Sequence, residues 1–202
     1  MIGHISAIAL GMVLDRLIGD PPHWPHPVRW IGTGITKLTG ALNRPPHAFR
    51  NGFVMLGLLI AIVGLIVFAI TALAFSIHPL IGIFIEAILI ASGLAQKSLK
   101  DAAEEVYAPL MNKNFVLARE KLSWIVGRDT ENLGESDITR GVVETVSENT
   151  SDGVTAPLFW AFLFGAPGLW VYKTVNTCDS MVGYKMKSFM NSAMLPLAWT
   201  MS

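Results

Sequence analysis

The chain has 202 residues, 52% of them hydrophobic and only 15% charged, with 15 Lys and Arg balancing 15 Asp and Glu. A soluble domain carries about 25% charged residues, so this deficit, with a mean hydropathy of +0.50, excludes an ordinary water-soluble protein. Neutral net charge supplies no basic patch for nucleic acid, and the single cysteine, Cys178, excludes an internal disulfide and any zinc-finger spacing.

Residues 2–18 read as a short apolar helix ending on Asp15 and Arg16. They lack a basic leader and a small-residue cleavage site, so the segment reads as retained rather than as a signal peptide. Pro21, Pro22, Pro25 and Pro27 favour an extended, rigid loop from Gly19 to Arg29. Residues 31–42 suit a short amphipathic interfacial helix, anchored by Trp24 and Trp30. From 52 to 77 no residue is ionisable. A helix of that length rises about 39 Å, against a hydrocarbon core of about 30 Å. His78-Pro79 then turns the chain and 80–96 returns, a transmembrane hairpin with Glu86 in its second arm. Such a carboxyl either faces the bundle interior or is protonated or snorkelling near the helix end.

Residues 97–140 look helical and water-facing, interrupted at Ala108-Pro109 and by a loop over 126–133. Ser136 or Asp137 caps the next helix, which runs through Arg140 toward Glu148. The last apolar stretch, 154–175, is broken at Gly165-Ala166-Pro167-Gly168, which suits a kinked span or a re-entrant hairpin. The hairpin is favoured because it returns 176–185 to the side of the other polar segments. Arg16, Arg29, Lys37, Arg44 and Arg50 lie before the first long span, seven Lys and Arg lie between 97 and 152, and the 78–79 tip has none. The positive-inside rule puts both polar regions in the cytoplasm. The expected fold is all-α: one integral-membrane domain over 1–202, with spans near 2–18, 52–77, 80–96 and 154–175 and cytoplasmic helices over 97–152.

Two polar islands, 15–29 and 144–153, abut apolar sequence, where charge is tolerated chiefly for function. Glu144, Glu148 and Asp152 recur every four residues, which stacks them on one helix face. Hard oxygen ligands in that arrangement suit Mg²⁺; the alternative is a solvated acidic face. Asn149 and Thr150-Ser151-Asp152-Gly153 add small hydrogen-bonding groups, with Gly153 as a helix stop. Arg16, Arg29, Arg140 and Lys185 suit phosphate or carboxylate, or equally lipid head groups. His23 and His26 form a His-x-x-His pair, but the proline-locked backbone argues against chelation by both. Walker-type, nucleophile-elbow and His-Glu-x-x-His motifs are absent.

Leu14-Asp15-Arg16-Leu17-Ile18-Gly19-Asp20-Pro21-Pro22-His23-Trp24-Pro25-His26-Pro27-Val28-Arg29, Val143-Glu144-Thr145-Val146-Ser147-Glu148-Asn149-Thr150-Ser151-Asp152-Gly153-Val154-Thr155-Ala156-Pro157-Leu158-Phe159 and Val175-Asn176-Thr177-Cys178-Asp179-Ser180-Met181-Val182-Gly183-Tyr184-Lys185 stand in this order. Together they resemble the motifs of the CobD/CbiB family of cobalamin-biosynthesis membrane proteins, over about residues 1–185. The resemblance implies a multi-pass protein of the cytoplasmic membrane and an adenosylcobinamide-phosphate synthase. Such a ligase joins a carboxyl of adenosylcobyric acid to the amine of aminopropanol, or of its phosphate, consuming ATP. Its partners are then the corrinoid and amino-alcohol substrates, the lipid bilayer and other cobalamin-biosynthesis membrane proteins. Within that chemistry the catalytic candidates are Asp15, Asp20, His26, Glu148 and Asn149, with Asp20 or His26 accepting the ammonium proton. Arg16, Arg29, Asn176, Ser180, Tyr184 and Lys185 are the substrate-binding candidates. Glu144, Glu148, Asp152 and Asp179 are the candidates for holding Mg²⁺ with ATP. The tail 186–202 departs from the family pattern, as a copy lacking the C-terminal third does. Two alternatives stand beside it: a non-catalytic membrane partner, and a transporter component using Glu86 and the broken segment at 165–168.

Overall fold

A backbone in lipid must satisfy its own hydrogen bonds, and helices do so within one segment. The computed structural model describes residues 2–20, 27–42 and 48–183. Among these the chain forms α1 (Ile2–Ile18), α2 (Pro27–Leu42), α3 (Ala48–Ile77), α4 (Pro79–Ala91), α5 (Gln96–Met111), α6 (Phe115–Ser123), α7 (Glu135–Thr150) and α8 (Ala156–Cys178). Two π-helical turns, Ser151–Thr155 and Asp179–Gly183, follow α7 and α8. No strand occurs among the described residues. Three stretches are long and apolar enough to cross a membrane, Arg50–Ile77, Pro79–Met111 and Glu135–Met181. The protein is an all-α, polytopic helical membrane protein.

Two separate cores hold it together. Ala7, Ile35, Leu59, Ala87, Ile90, Leu169 and Trp170 pack α1, α2, α3, α4 and α8. Val106, Leu110, Ala118, Leu122 and Ile138 pack α5, α6 and α7 into a small helical cap. α1 runs parallel to α4: His4 near its start meets Glu86 of α4, and Asp15 near its end meets Gln96, the first residue of α5.

Several boundaries differ from the sequence expectation. Pro27–Arg29 are helical and not part of an extended loop, because α2 starts at Pro27, whose fixed φ suits a first helical turn; residues 21–26 of the expected loop lie outside the described residues. The return span ends at Ala91 instead of 96, and a turn over 92–95 redirects the chain into α5. Pro109 does not interrupt α5; it sits in the last turn, and Asn114 then caps α6 through its side chain on the Leu117 N–H. Helix α7 is capped at Gly134 rather than at Ser136 or Asp137. Asp137 instead reaches back, its Oδ2 accepting from the Gly134 N–H at 3.4 Å. Gly153 is no stop either. The helix widens through the π turn, and the Gly153 carbonyl accepts from the Ala95 N–H at 3.1 Å.

The consequential feature is a reversal inside α8. Gly165 has φ 67° and ψ −160°, a conformation open to glycine and strained for other residues. Twenty residues of straight helix separate their ends by about 30 Å. Yet Tyr172 Oη donates to Asp152 Oδ1 at 3.4 Å, so the run folds back as a re-entrant hairpin. The arms lie so close at the tip that a Cβ on Gly168 would stand 2.5 Å from the Trp160 carbonyl oxygen. Glu86 closes the turn from α4. Its Oε1 accepts from the Ala166 N–H at 3.1 Å, and His4 Nδ1 lies 2.9 and 2.8 Å from its two oxygens. Glu86 therefore faces the bundle interior, fully buried, and satisfies an N–H that lipid would leave orphaned. Gly168→Ala is expected to force the arms apart and destabilise the protein by about 1–3 kcal/mol, read as a lower unfolding temperature in nanodiscs.

Candidate functional site at the start of α5

Residues 95–98, between the turn after α4 and the first turn of α5, tie together segments far apart in sequence. The Ala95 N–H donates to Gly153 of the second island. The Gln96 N–H donates to Asp15 Oδ2 of the first island at 2.9 Å, and the Gln96 side-chain amide donates to the Met12 carbonyl at 3.3 Å. Lys97 Nζ donates to the Leu17 and Ile18 carbonyls at 3.1 and 3.0 Å, satisfying the C-terminal end of α1. Ser98 Oγ donates to Asp20 Oδ2 at 2.9 Å. The two islands thus meet on one helical turn.

The re-entrant hairpin supplies the third component. Its returning arm carries Tyr172, bonded to Asp152, and Lys173, whose half-buried ammonium lies in the field of Asp20, Asp152 and Asp15. Asp15 is only 2% exposed, and its buried Oδ1 has no hydrogen-bond partner among the described residues. A groove of about 510 Å³ opens beside this centre, lined by Asp20, Lys97, Ser98, Asp101, Glu105 and Lys121, with Trp124 at its wall. Lys121 is held by Glu105 at 3.0 Å and stands over the Trp124 ring at 3.9 Å.

The residues expected from sequence divide into two groups. Asp15, Asp20 and Asp152 come together; Lys173, Tyr172, Gln96 and Ser98 join them without having been anticipated. Glu148 and Asn149 are exposed on α7, and the Asn149 side chain donates back to the Thr145 carbonyl. Arg16 and Arg29 are exposed, in the last turn of α1 and the first turn of α2. Ser180 Oγ donates to the Asn176 carbonyl at 2.9 Å, and Asp179 is exposed where the second π turn begins. His26, Tyr184 and Lys185, like His23 and Trp24, lie outside the described residues.

The acidic set expected to hold Mg²⁺ is not assembled. Among the described residues no three His, Cys, Asp or Glu side chains group as metal ligands. Glu144 is taken up instead by Arg140 at 2.7 Å and Arg128 at 3.3 Å. The Arg140 hydrogen bond holds its carboxyl below the ordinary carboxylate range. Four-residue spacing paired Glu144 with the arginine preceding it, not with Glu148. These residues do not fit a magnesium site.

Comparison with known proteins agrees with the motifs. The sequence pattern of the family described as CobD/Cbib protein matches residues 8–194. The cobalamin biosynthesis protein CobD of Halalkalibacterium halodurans is 48% identical over 186 residues, covering 92% of this chain and 58% of the relative. The cobalamin biosynthesis protein CbiB of Salmonella paratyphi B is 49% identical over 189 residues, 92% of this chain and 59% of the relative. CobD of Citrobacter koseri is 45% identical over the same lengths. The chain spans just under three-fifths of the length of these curated relatives. The family pattern runs past Lys185, where the resemblance was expected to stop, and leaves only 195–202 beyond it. No solved structure matches the chain.

Proposed function

The chain belongs to the CobD/CbiB family, and from that premise we propose that it acts in cobalamin biosynthesis as a membrane-bound, ATP-dependent amide ligase. Its substrates are a carboxyl of adenosylcobyric acid and the amine of aminopropanol or of its phosphate. The observation that carries this reading is the convergence of Asp15, Asp20 and Gly153 on residues 95–98, with Lys173 alongside.

A carboxylate is a poor acyl donor, so ATP activates it. The carboxylate oxygen attacks the γ-phosphorus, ADP leaves, and an acyl phosphate results. The amine nitrogen then attacks the acyl carbon, inorganic phosphate leaves, and the nitrogen loses a proton. Asp20, exposed at the groove and held by Ser98, is suited to accept that proton. Arg16 and Arg29 are suited to the anionic groups of substrate and nucleotide. Among the described residues the acidic side chains expected to hold Mg²⁺ do not converge. Supporting sidedness, the polar centre lies at the end of the bundle opposite the 78–79 turn, which suits a site on the cytoplasmic face of the cell membrane.

The test is amide formation by membranes carrying this chain, with adenosylcobyric acid, aminopropanol and ATP, beside a full-length relative. Product that depends on both ATP and amine is expected, abolished by Asp20→Ala and reduced little by Glu148→Ala, since Glu148 stands on the exposed face of α7. No product from this chain, where the relative makes it, contradicts the reading.

A further inference from the structure

We infer that the centre formed by Asp15, Asp20 and Asp152 is an ammonium-binding subsite, which takes the amine end of a small amino alcohol and not a phosphate or a metal ion. This inference rests on the amide-ligase reading above and specifies which end of which substrate the centre holds.

Three observations carry it. First, Asp15 is almost completely buried, one oxygen bonded to the Gln96 N–H and the other, Oδ1, without a hydrogen-bond partner among the described residues. A buried carboxylate oxygen without a donor is costly, and a carboxylate offers only acceptors, so what completes it must donate. Second, the charge is lopsided. Asp15, Asp20, Asp152, Asp101 and Glu105 belong to the centre or line its groove, against Lys173, Lys97 and Lys121. Lys97 is already committed to the carbonyls ending α1, and Lys121 to Glu105. No arginine is among the described residues that line the groove. That surplus of negative charge attracts a cation and repels a phosphate.

Third, the geometry selects among cations. A magnesium ion demands oxygen ligands at about 2.1 Å in near-octahedral array, and no three acidic side chains are so grouped among the described residues. A primary ammonium has separate donors that reach more widely spaced acceptors, each at ordinary hydrogen-bond length. The Lys173 ammonium already stands in the field of the same three carboxylates, so the set is one that attracts an ammonium. The groove volume of about 510 Å³ lies within the usual range for a small-molecule site, and it opens onto Asp20 and Ser98, next to the turn that anchors Asp15.

Calorimetric titration of the nanodisc-embedded chain tests this with 1-amino-2-propanol, its uncharged analogue propane-1,2-diol, and MgCl₂. The amine is expected to bind, and the diol about tenfold or more weaker, as loss of a charge-assisted hydrogen bond predicts. Asp15→Asn keeps an acceptor for Gln96 and is expected to weaken the amine about tenfold or more; Asp152→Asn, at an exposed position, weakens it in the same direction. Equal binding of amine and diol, wild-type affinity in both variants, or displacement of the amine by Mg²⁺ overturns the subsite. Amine binding without amide formation sinks the ligase reading but leaves the subsite standing. Amide formation by Asp15→Asn with an unchanged KM for the amine does the reverse.

Discussion

Glu86→Leu is expected to unfold the re-entrant hairpin tip and abolish whatever activity the polar centre supports. The substitution removes the acceptor of the Ala166 N–H and the partner of the His4 ring together. The buried Ala166 N–H left unsatisfied is worth about 1–3 kcal/mol, a large share of the marginal stability of a domain, and the half-exposed His4 loses its partner as well. The loss propagates because the hairpin register is what brings Tyr172 and Lys173 back to Asp152. Glu86→Gln retains a carbonyl acceptor for Ala166 and is expected to retain most of the stability. The readouts are the unfolding temperature in nanodiscs and amide formation by the same samples. A leucine variant that melts and reacts like wild type would mean that the tip does not depend on this carboxyl. The same engagement removes Glu86 from the transporter reading that its position in an apolar helix invites.

The second large effect is expected at Lys173. Asp20, Asp152 and Asp15 all interact favourably with its ammonium, and removing it leaves three carboxylates that repel one another. Lys173→Met preserves the length and apolar stem while deleting the charge. Loss of one partner of a fully buried ion pair costs about 3–5 kcal/mol. For this half-buried lysine a smaller stability loss is expected, read as a lower unfolding temperature in nanodiscs, together with a fall in kcat/KM as the carboxylates move apart. Lys173→Arg keeps the charge on a larger, planar group and is expected to recover part of the loss. An unchanged kcat/KM in the methionine variant would exclude Lys173 from the centre.

What the sequence disclosed depends on how far each signal reaches. The uncharged run before His78 and the clustering of Lys and Arg announced the helices and their common polar side, because lipid imposes that pattern directly. The break at Gly165 and Gly168 announced a reversal, since in lipid a kink of this composition is tolerated only where protein covers it. Glu86, which covers it, was visible as an anomaly without its partners, because His4 and Ala166 are distant in sequence. Lys173 and Tyr172 went unnoticed inside an apolar run. Folding that run at Gly165 returns both toward Asp152, so the break itself held the clue. In sequence Gln96 reads as the end of the return span and Ser98 as the edge of a water-facing helix, yet the N–H of one and the hydroxyl of the other organise the centre. The acidic triplet misled in the other direction: a four-residue period is equally the period of an Arg140–Glu144 pair.

The convergence of the polar segments rests on the hairpin, and one distance decides it. In a Cys178→Ser background, spin labels at Asp152→Cys and Tyr172→Cys can be read by double electron–electron resonance in nanodiscs. A distribution centred far below the roughly 30 Å of a straight helix is expected, in keeping with the 3.4 Å contact between the two native side chains. A distribution centred at that longer separation would contradict the hairpin and, with it, a shared centre for Asp15, Asp152 and Lys173.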